Sequence, residues 1–112
     1  MFELHHLTAQ EQWEWLRRGD VTPTELAQHY LARIERLNPD LGAFTTVTPD
    51  AALARAAALE AEVPRSAPLW GLPLGDKDLS QRRGVRTTYG SRLFETFVPD
   101  VSDEIVEQLD AA

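Results

Sequence analysis

The stretch Leu69-Trp70-Gly71-Leu72-Pro73-Leu74-Gly75-Asp76-Lys77-Asp78-Leu79 constrains the fold more than any other part of the chain. Two glycines, a proline and few helix formers keep it out of a helix. Apolar and polar residues alternate imperfectly from Leu72 to Leu79, which predicts a short strand over 72–79. Successive strand residues point to opposite faces. Lys77 would then share a face with Gly75 and Leu79, and Asp76, Asp78 and Leu74 would share the other. A lysine between two carboxylates in an apolar run is the first place to look for chemistry.

The residues before this stretch are written mostly as helices. Thr8-Ala9-Gln10-Glu11 is a capping box, Trp13, Trp15 and Leu16 follow, and Gly19 offers a left-handed stop. The first helix is therefore expected over about 8–18. Thr22, Pro23 and Glu25 form a second start signal, with proline at the first helical position where its missing N–H is harmless. Val21 and Leu26 are placed as a hydrophobic staple. Leu26, Tyr30, Ile34 and Leu37 recur on one face, and Asn38-Pro39 is the expected stop, giving a helix over 23–37. His29 lies beside that stripe as a partly exposed helix histidine.

Phe44-Thr45-Thr46-Val47-Thr48 predicts a strand over 43–48. Pro49 then opens an alanine-rich helix over about 50–62, whose small side chains allow close approach by another element. A proline-punctuated link, Val63 to Pro68, leads into the central stretch. After it, Gln81-Arg82-Arg83-Gly84 and Gly90-Ser91 read as turns. Ser102 is the expected cap of a last helix over 103–112, with Ile105, Val106 and Leu109 on its apolar side.

At 112 residues the length predicts one domain with a modest core. A net charge of −7 with scattered arginines argues against a nucleic-acid binder. Cysteine is absent, which removes disulfides, thiolate nucleophiles and cysteine metal sites and suits a reducing cytoplasm. The N-terminus lacks a basic region followed by an apolar core, so no signal peptide is expected. No apolar run approaches spanning length. A soluble, cytoplasmic protein without a membrane partner is the expectation.

The serines Ser66, Ser80, Ser91 and Ser102 lie in no Gly-x-Ser-x-Gly elbow. The histidines His5, His6 and His29 are far from them in sequence, so a Ser-His-Asp hydrolase is not expected. His5 and His6 beside Glu3 have metal-ligand chemistry, but neighbouring histidines do not easily face one ion, and no metal or cofactor is expected. Lys77 is the better candidate. A lysine acts as a base only when burial or cationic neighbours favour its neutral form. Leu72, Leu74 and Leu79 would supply burial, while Asp76 and Asp78 oppose it. The residues alone leave two readings open, a base or a surface salt bridge.

Gly71-Leu72-Pro73-Leu74-Gly75-Asp76-Lys77-Asp78 resembles the glycine, proline and lysine-aspartate segment of the amidase signature family. The likeness extends through Thr22 to Ile34, Asn38-Pro39, Leu41-Gly42-Ala43-Phe44, Gly84 to Gly90-Ser91 and Asp100 to Ala112. The resemblance implies an α/β fold, seen in residues 1–112 as an α+β part of one domain with its N-terminal helices and first strands. It implies hydrolysis of small-molecule carboxamides by a serine nucleophile, a second serine with a cis peptide, and a lysine. Only Lys77 matches a catalytic position, and Asp78 matches the acid that follows it in a supporting role. The position before the lysine is usually apolar, and here it is Asp76.

The chain is thus expected to be the N-terminal part of an amidase, inactive alone because both serines lie further along. Two alternatives stay open: the amidase-like subunit of a tRNA-dependent amidotransferase, and a non-catalytic binding or assembly module. Open strand edges over Leu72–Leu79 and the apolar faces of Trp13, Tyr30, Leu53 and Ile105 predict a homo-oligomer.

Overall fold

The computed structural model describes residues 3–62 and 64–112. Met1, Phe2 and Val63 of the expected link lie outside the described residues. The chain divides into two compact units, Met1–Pro73 and Leu74–Ala112.

The first unit is helical. A 3-10 turn, Leu4–His6, precedes α1 (Ala9–Arg18), α2 (Pro23–Leu41) and α3 (Pro49–Glu62). Thr8 and Thr22 each form both halves of a capping box, with Glu11 and Glu25 reaching back to the cap N–H. Gly19 adopts the left-handed conformation that ends α1, at φ 80°. These features follow from contacts three to four residues apart, which is why the sequence displays them.

α2 runs past the expected stop at Asn38-Pro39 to Leu41. Pro39 sits in the last turn, where its missing N–H forgoes a single bond. The helix ends instead at left-handed Gly42, whose N–H donates to the Asn38 carbonyl at 2.8 Å. The Asn38 side chain then fixes the exit, accepting from Phe44 N–H at 2.8 Å and donating to its carbonyl at 3.0 Å.

Leu16 of α1, Val21 of the following turn, Leu26 of α2 and Trp70 beyond α3 form the core. Leu4, Trp15, Tyr30, Leu59, Ala67 and Leu72 pack around them. Trp70 Nε1 donates to the Leu59 carbonyl at 3.2 Å, which satisfies its one polar atom. Gly71 has φ 80°, and a Cβ there would stand 3.0 Å from Pro23 Cγ and 3.2 Å from the Leu16 methyls. Both the backbone and the space call for glycine. Buried Gln12 donates to Tyr30 Oη at 2.7 Å and to the Leu4 carbonyl at 3.1 Å. It thereby ties the N-terminal turn to α1 and α2.

α3 packs on α2 with Ala56 buried, so its small side chains do allow a close approach. Glu60 of α3 accepts from Thr24 N–H of α2 at 2.8 Å. Bonds from the Thr24 hydroxyl and N–H hold the Glu60 carboxyl below its ordinary 4.5. Bonds from the Thr8 backbone and hydroxyl do the same for Glu11. Carboxylates depressed in the folded state stabilise it above the unfolded value and lose that contribution as pH falls through the folded one. These two carboxylates should make the urea midpoint drop as pH falls below 4.5. Glu60→Gln, measured by the same titration, should make that drop shallower.

The second unit carries one helix, α4 (Glu104–Ala111), and a 3-10 turn at Arg92–Phe94. Val106 of α4 is buried, Leu109 half-buried and Ile105 exposed. Ser102 does not cap α4. Asp103 occupies the cap position without a side-chain cap bond. Both side chains turn instead to the preceding loop, Ser102 Oγ accepting from Arg83 N–H at 2.9 Å and Asp103 Oδ2 from Gln81 N–H at 2.8 Å. A second brace joins Gly84 N–H to the Pro99 carbonyl at 2.9 Å and Thr87 N–H to the Phe97 carbonyl at 3.0 Å. Tyr89, Phe94 and Phe97 form an aromatic group with ring centroids 5.1 to 6.5 Å apart.

Among the described residues no strand forms. The expected strands over 43–48 and 72–79 are absent, and the one β-bridge among the described residues links Arg82 to Val85 around left-handed Gly84. A strand exists only when a neighbour supplies the other side of its ladder. Alternation marks residues suited to a sheet but brings no partner. The α+β expectation therefore fails in its strand part for these residues. The open strand edges invoked for self-association are likewise absent. Of the apolar faces named with them, Tyr30 packs on the core and Trp13 and Leu53 are half-buried. The Arg17 guanidinium lies over the Trp13 ring at 4.6 Å.

Candidate functional site

Lys77 lies on a loop of the second unit and its side chain is exposed. Its carbonyl accepts from Ser80 N–H at 2.9 Å, closing a turn directly after the lysine. The expected apolar cover is missing. Leu74 and Leu79 are 62% and 51% exposed, and Leu72 packs on the core of the first unit. Without a strand, the alternation that would bury these leucines does not operate.

The two carboxylates beside Lys77 are each committed to another group. Asp78 accepts from Thr88 N–H at 2.8 Å and from the Thr88 hydroxyl. Its carbonyl also accepts from Tyr89 N–H at 3.0 Å. Thr88 is buried, so the pair is largely shielded from water. Tyr89 has φ 53°, the only positive φ outside glycine among the described residues. Its hydroxyl accepts from Gln81 Nε2 at 2.5 Å, and these contacts hold a backbone conformation that costs about 1–2 kcal/mol for an L-residue.

Asp76 accepts from Arg82 Nε at 2.5 Å. The other arm of Arg82 forks onto Asp110 of α4, at 2.6 and 3.0 Å. The Asp110 and Asp76 bonds hold the guanidinium proton still more firmly than usual. Arginine suits this place because its planar fork serves two carboxylates at once. This explains how an acid is accommodated at a position that the resemblance makes apolar. Its charge is matched by Arg82 and braced against the last helix. Sequence reasoning missed these partners. Arg82 lies 6 residues from Asp76, Thr88 10 from Asp78 and Asp110 28 from Arg82, and no local spacing marks them.

None of the four serines forms a nucleophilic arrangement with Lys77 among the described residues. Ser91 and Ser102 accept from backbone N–H groups of Leu93 and Arg83 through their hydroxyls, and Ser66 belongs to the first unit. In that unit His29, read from sequence as a helix-surface histidine, faces His5 at 3.0 Å. Among the described residues no helix is long and apolar enough to cross a membrane.

The sequence profile of the family described as Amidase matches residues 25–112. The chain is 40% identical over 111 residues to the A-subunit of glutamyl-tRNA(Gln) amidotransferase from Methylococcus capsulatus, covering 97% of this chain and 23% of the relative. It is 44% identical over 115 residues to the same-named protein of Chloroflexus aurantiacus, covering 100% and 24%. The counterpart in Acinetobacter baumannii is 35% identical over 114 residues, with 100% and 23% covered. The chain thus spans about a quarter of the length of these relatives. The profile match takes in the Lys77 loop, both of its carboxylates and the Arg82 fork, and by it this chain belongs to the amidase family.

Proposed function

We propose that the complete polypeptide processes a carboxamide through an acyl-enzyme, with Lys77, exposed in residues 1–112, covered by the rest of the polypeptide and serving as the base of a serine relay. Family membership carries this reading, because the match includes the Lys77 segment. Asp78 is the supporting residue, tying the lysine loop to Thr88. Both serines of the relay are proposed to come from outside residues 1–112, so that this chain alone does not turn over substrate. The substrate class is a linear amide whose C–N bond is cleaved.

A second reading is favoured by the names of the relatives, each of them one component of a glutamyl-tRNA(Gln) amidotransferase. On this reading the complete protein transfers an amide group within a complex of several different chains. It also revises the expectation of no nucleic-acid partner, since an acidic component can serve a tRNA substrate through basic partners. The test is to assay the complete polypeptide for ammonia release from simple carboxamides, and for amide transfer to glutamyl-tRNA(Gln) with candidate partner proteins. Hydrolysis by the polypeptide alone supports the hydrolase, and transfer only in the complex supports the amidotransferase. Neither activity in either setting would remove both.

Self-association of the 112-residue chain is proposed on narrower ground, the exposed Leu74, Leu93, Val101 and Ile105 of the second unit. Sedimentation velocity should show a species heavier than 12.6 kDa, and a monomer at all concentrations would refute it.

A further inference from the structure

The N-terminal turn of the first unit brings together side chains that no spacing in the sequence combines. His6 N–H donates to the Glu3 carbonyl at 2.9 Å, which closes the 3-10 turn. Residues three apart eclipse in such a turn, so Glu3 and His6 fall on one side. The His5 and His6 rings lie side by side with centroids 4.4 Å apart. The objection that neighbouring histidines face apart therefore does not hold here. A carboxylate oxygen of Glu3 and one ring nitrogen from each histidine lie within 4.8 Å of one another.

A fourth group arrives from α2. The His29 ring stacks on His5 at 5.1 Å, and its Nε2 stands 3.0 Å from His5 Nδ1. Glu3 Oε2 is 3.2 Å from that same Nδ1. The turn is anchored, because Leu4 packs on the core and its carbonyl accepts from buried Gln12.

We propose that Glu3, His5, His6 and His29 form a site for a divalent transition cation, with Zn²⁺ the best match. Imidazole and carboxylate ligands suit Zn²⁺, which prefers four of them in a tetrahedron. With bonds of about 2.0–2.1 Å, ligand atoms of such a site stand about 3.3 Å apart. The distances of 3.0 and 3.2 Å around His5 Nδ1 need a slight expansion, while His29, which approaches His5 but lies outside the 4.8 Å group of Glu3, His5 and His6, must close in on the other two.

Arg33 sets the state without metal. Its guanidinium donates to His5 Nε2 at 3.0 Å, which assigns the ring proton to Nδ1, where it points at His29 and Glu3. Binding places the cation on Nδ1 and the proton on Nε2, so the ring stays neutral and no net proton is released. The Nε2–H then meets a donor, and Arg33 turns aside. Arg33 is thus a competitor for the site, and a residue that accepts from Nε2–H should favour the metal.

The test is calorimetric titration of the tag-free 112-residue chain with Zn²⁺, with circular dichroism to check that each variant is folded. Expected is saturable binding of one ion per chain, weakened about tenfold or more by His6→Ala and by His29→Ala and tightened by Arg33→Gln. His6 is exposed, so that variant keeps the fold. Absence of saturable binding, or binding that either histidine variant leaves unchanged, would overturn the site. The cluster would then be a hydrogen-bonded relay from Arg33 through His5 to His29. The readout involves no turnover, so it stands or falls apart from the reading of Lys77.

Discussion

Lys77→Ala in the complete polypeptide should lower kcat for its amide substrate by about 10²–10⁴-fold, the usual contribution of a positioned base. KM should change little, because the lysine is proposed to move a proton and not to hold the substrate. Lys77→Arg should not restore the rate, since a guanidinium stays protonated and cannot accept. Steady-state kinetics on the three proteins decide the matter. Retention of full activity by Lys77→Ala would remove the lysine from the mechanism while leaving family membership untouched. The surroundings make the test clean. Asp78 is held by Thr88 and Asp76 by Arg82, so removing the exposed lysine amine breaks none of the bonds that shape this loop.

Trp70→Ala should destabilise the first unit by about 3–5 kcal/mol, the range for deleting a buried aromatic side chain. Trp70 is 2% exposed and packs among Leu16, Val21 and Leu26. Its loss empties the middle of a core drawn from α1, α2 and the segment beyond α3. Domains of this size are stable by only about 5–15 kcal/mol in total. The urea midpoint should therefore fall by about a fifth or more, and an unchanged midpoint would show that the core lies elsewhere. Trp70→Phe separates the contributions. It keeps most of the ring volume but removes the hydrogen bond to the Leu59 carbonyl, worth about 0.5–1.5 kcal/mol.

The same tryptophan shows why the central stretch matters twice. Trp70 and Leu72 complete the core of the first unit, and Leu74 onward begins the second with the lysine loop. Gly71 has to be glycine because the chain turns left-handed against Pro23 and Leu16 just after the tryptophan. The glycine of the motif is legible in sequence. Its reason is a contact with residues of α1 and α2, far back along the chain, that only packing reveals.

By itself the sequence determined where α1 and α2 begin, through Thr8 with Glu11 and Thr22 with Glu25. It also determined where α1 ends, at Gly19. Each of these is a hydrogen bond between residues three or four apart, so spacing alone specifies it. The residue order around Lys77 carried the family as well. Tertiary structure decided everything that needs a distant partner. It left 43–48 and 72–79 without the second strand that a ladder requires, and it took α2 past Pro39 because Asn38 could hold the exit. It paired Asp78 with Thr88, set Arg82 between Asp76 and Asp110, and brought His29 to His5 across 24 residues. A charged side chain declares its chemistry in the sequence, but its partner is fixed only when packing closes the intervening chain.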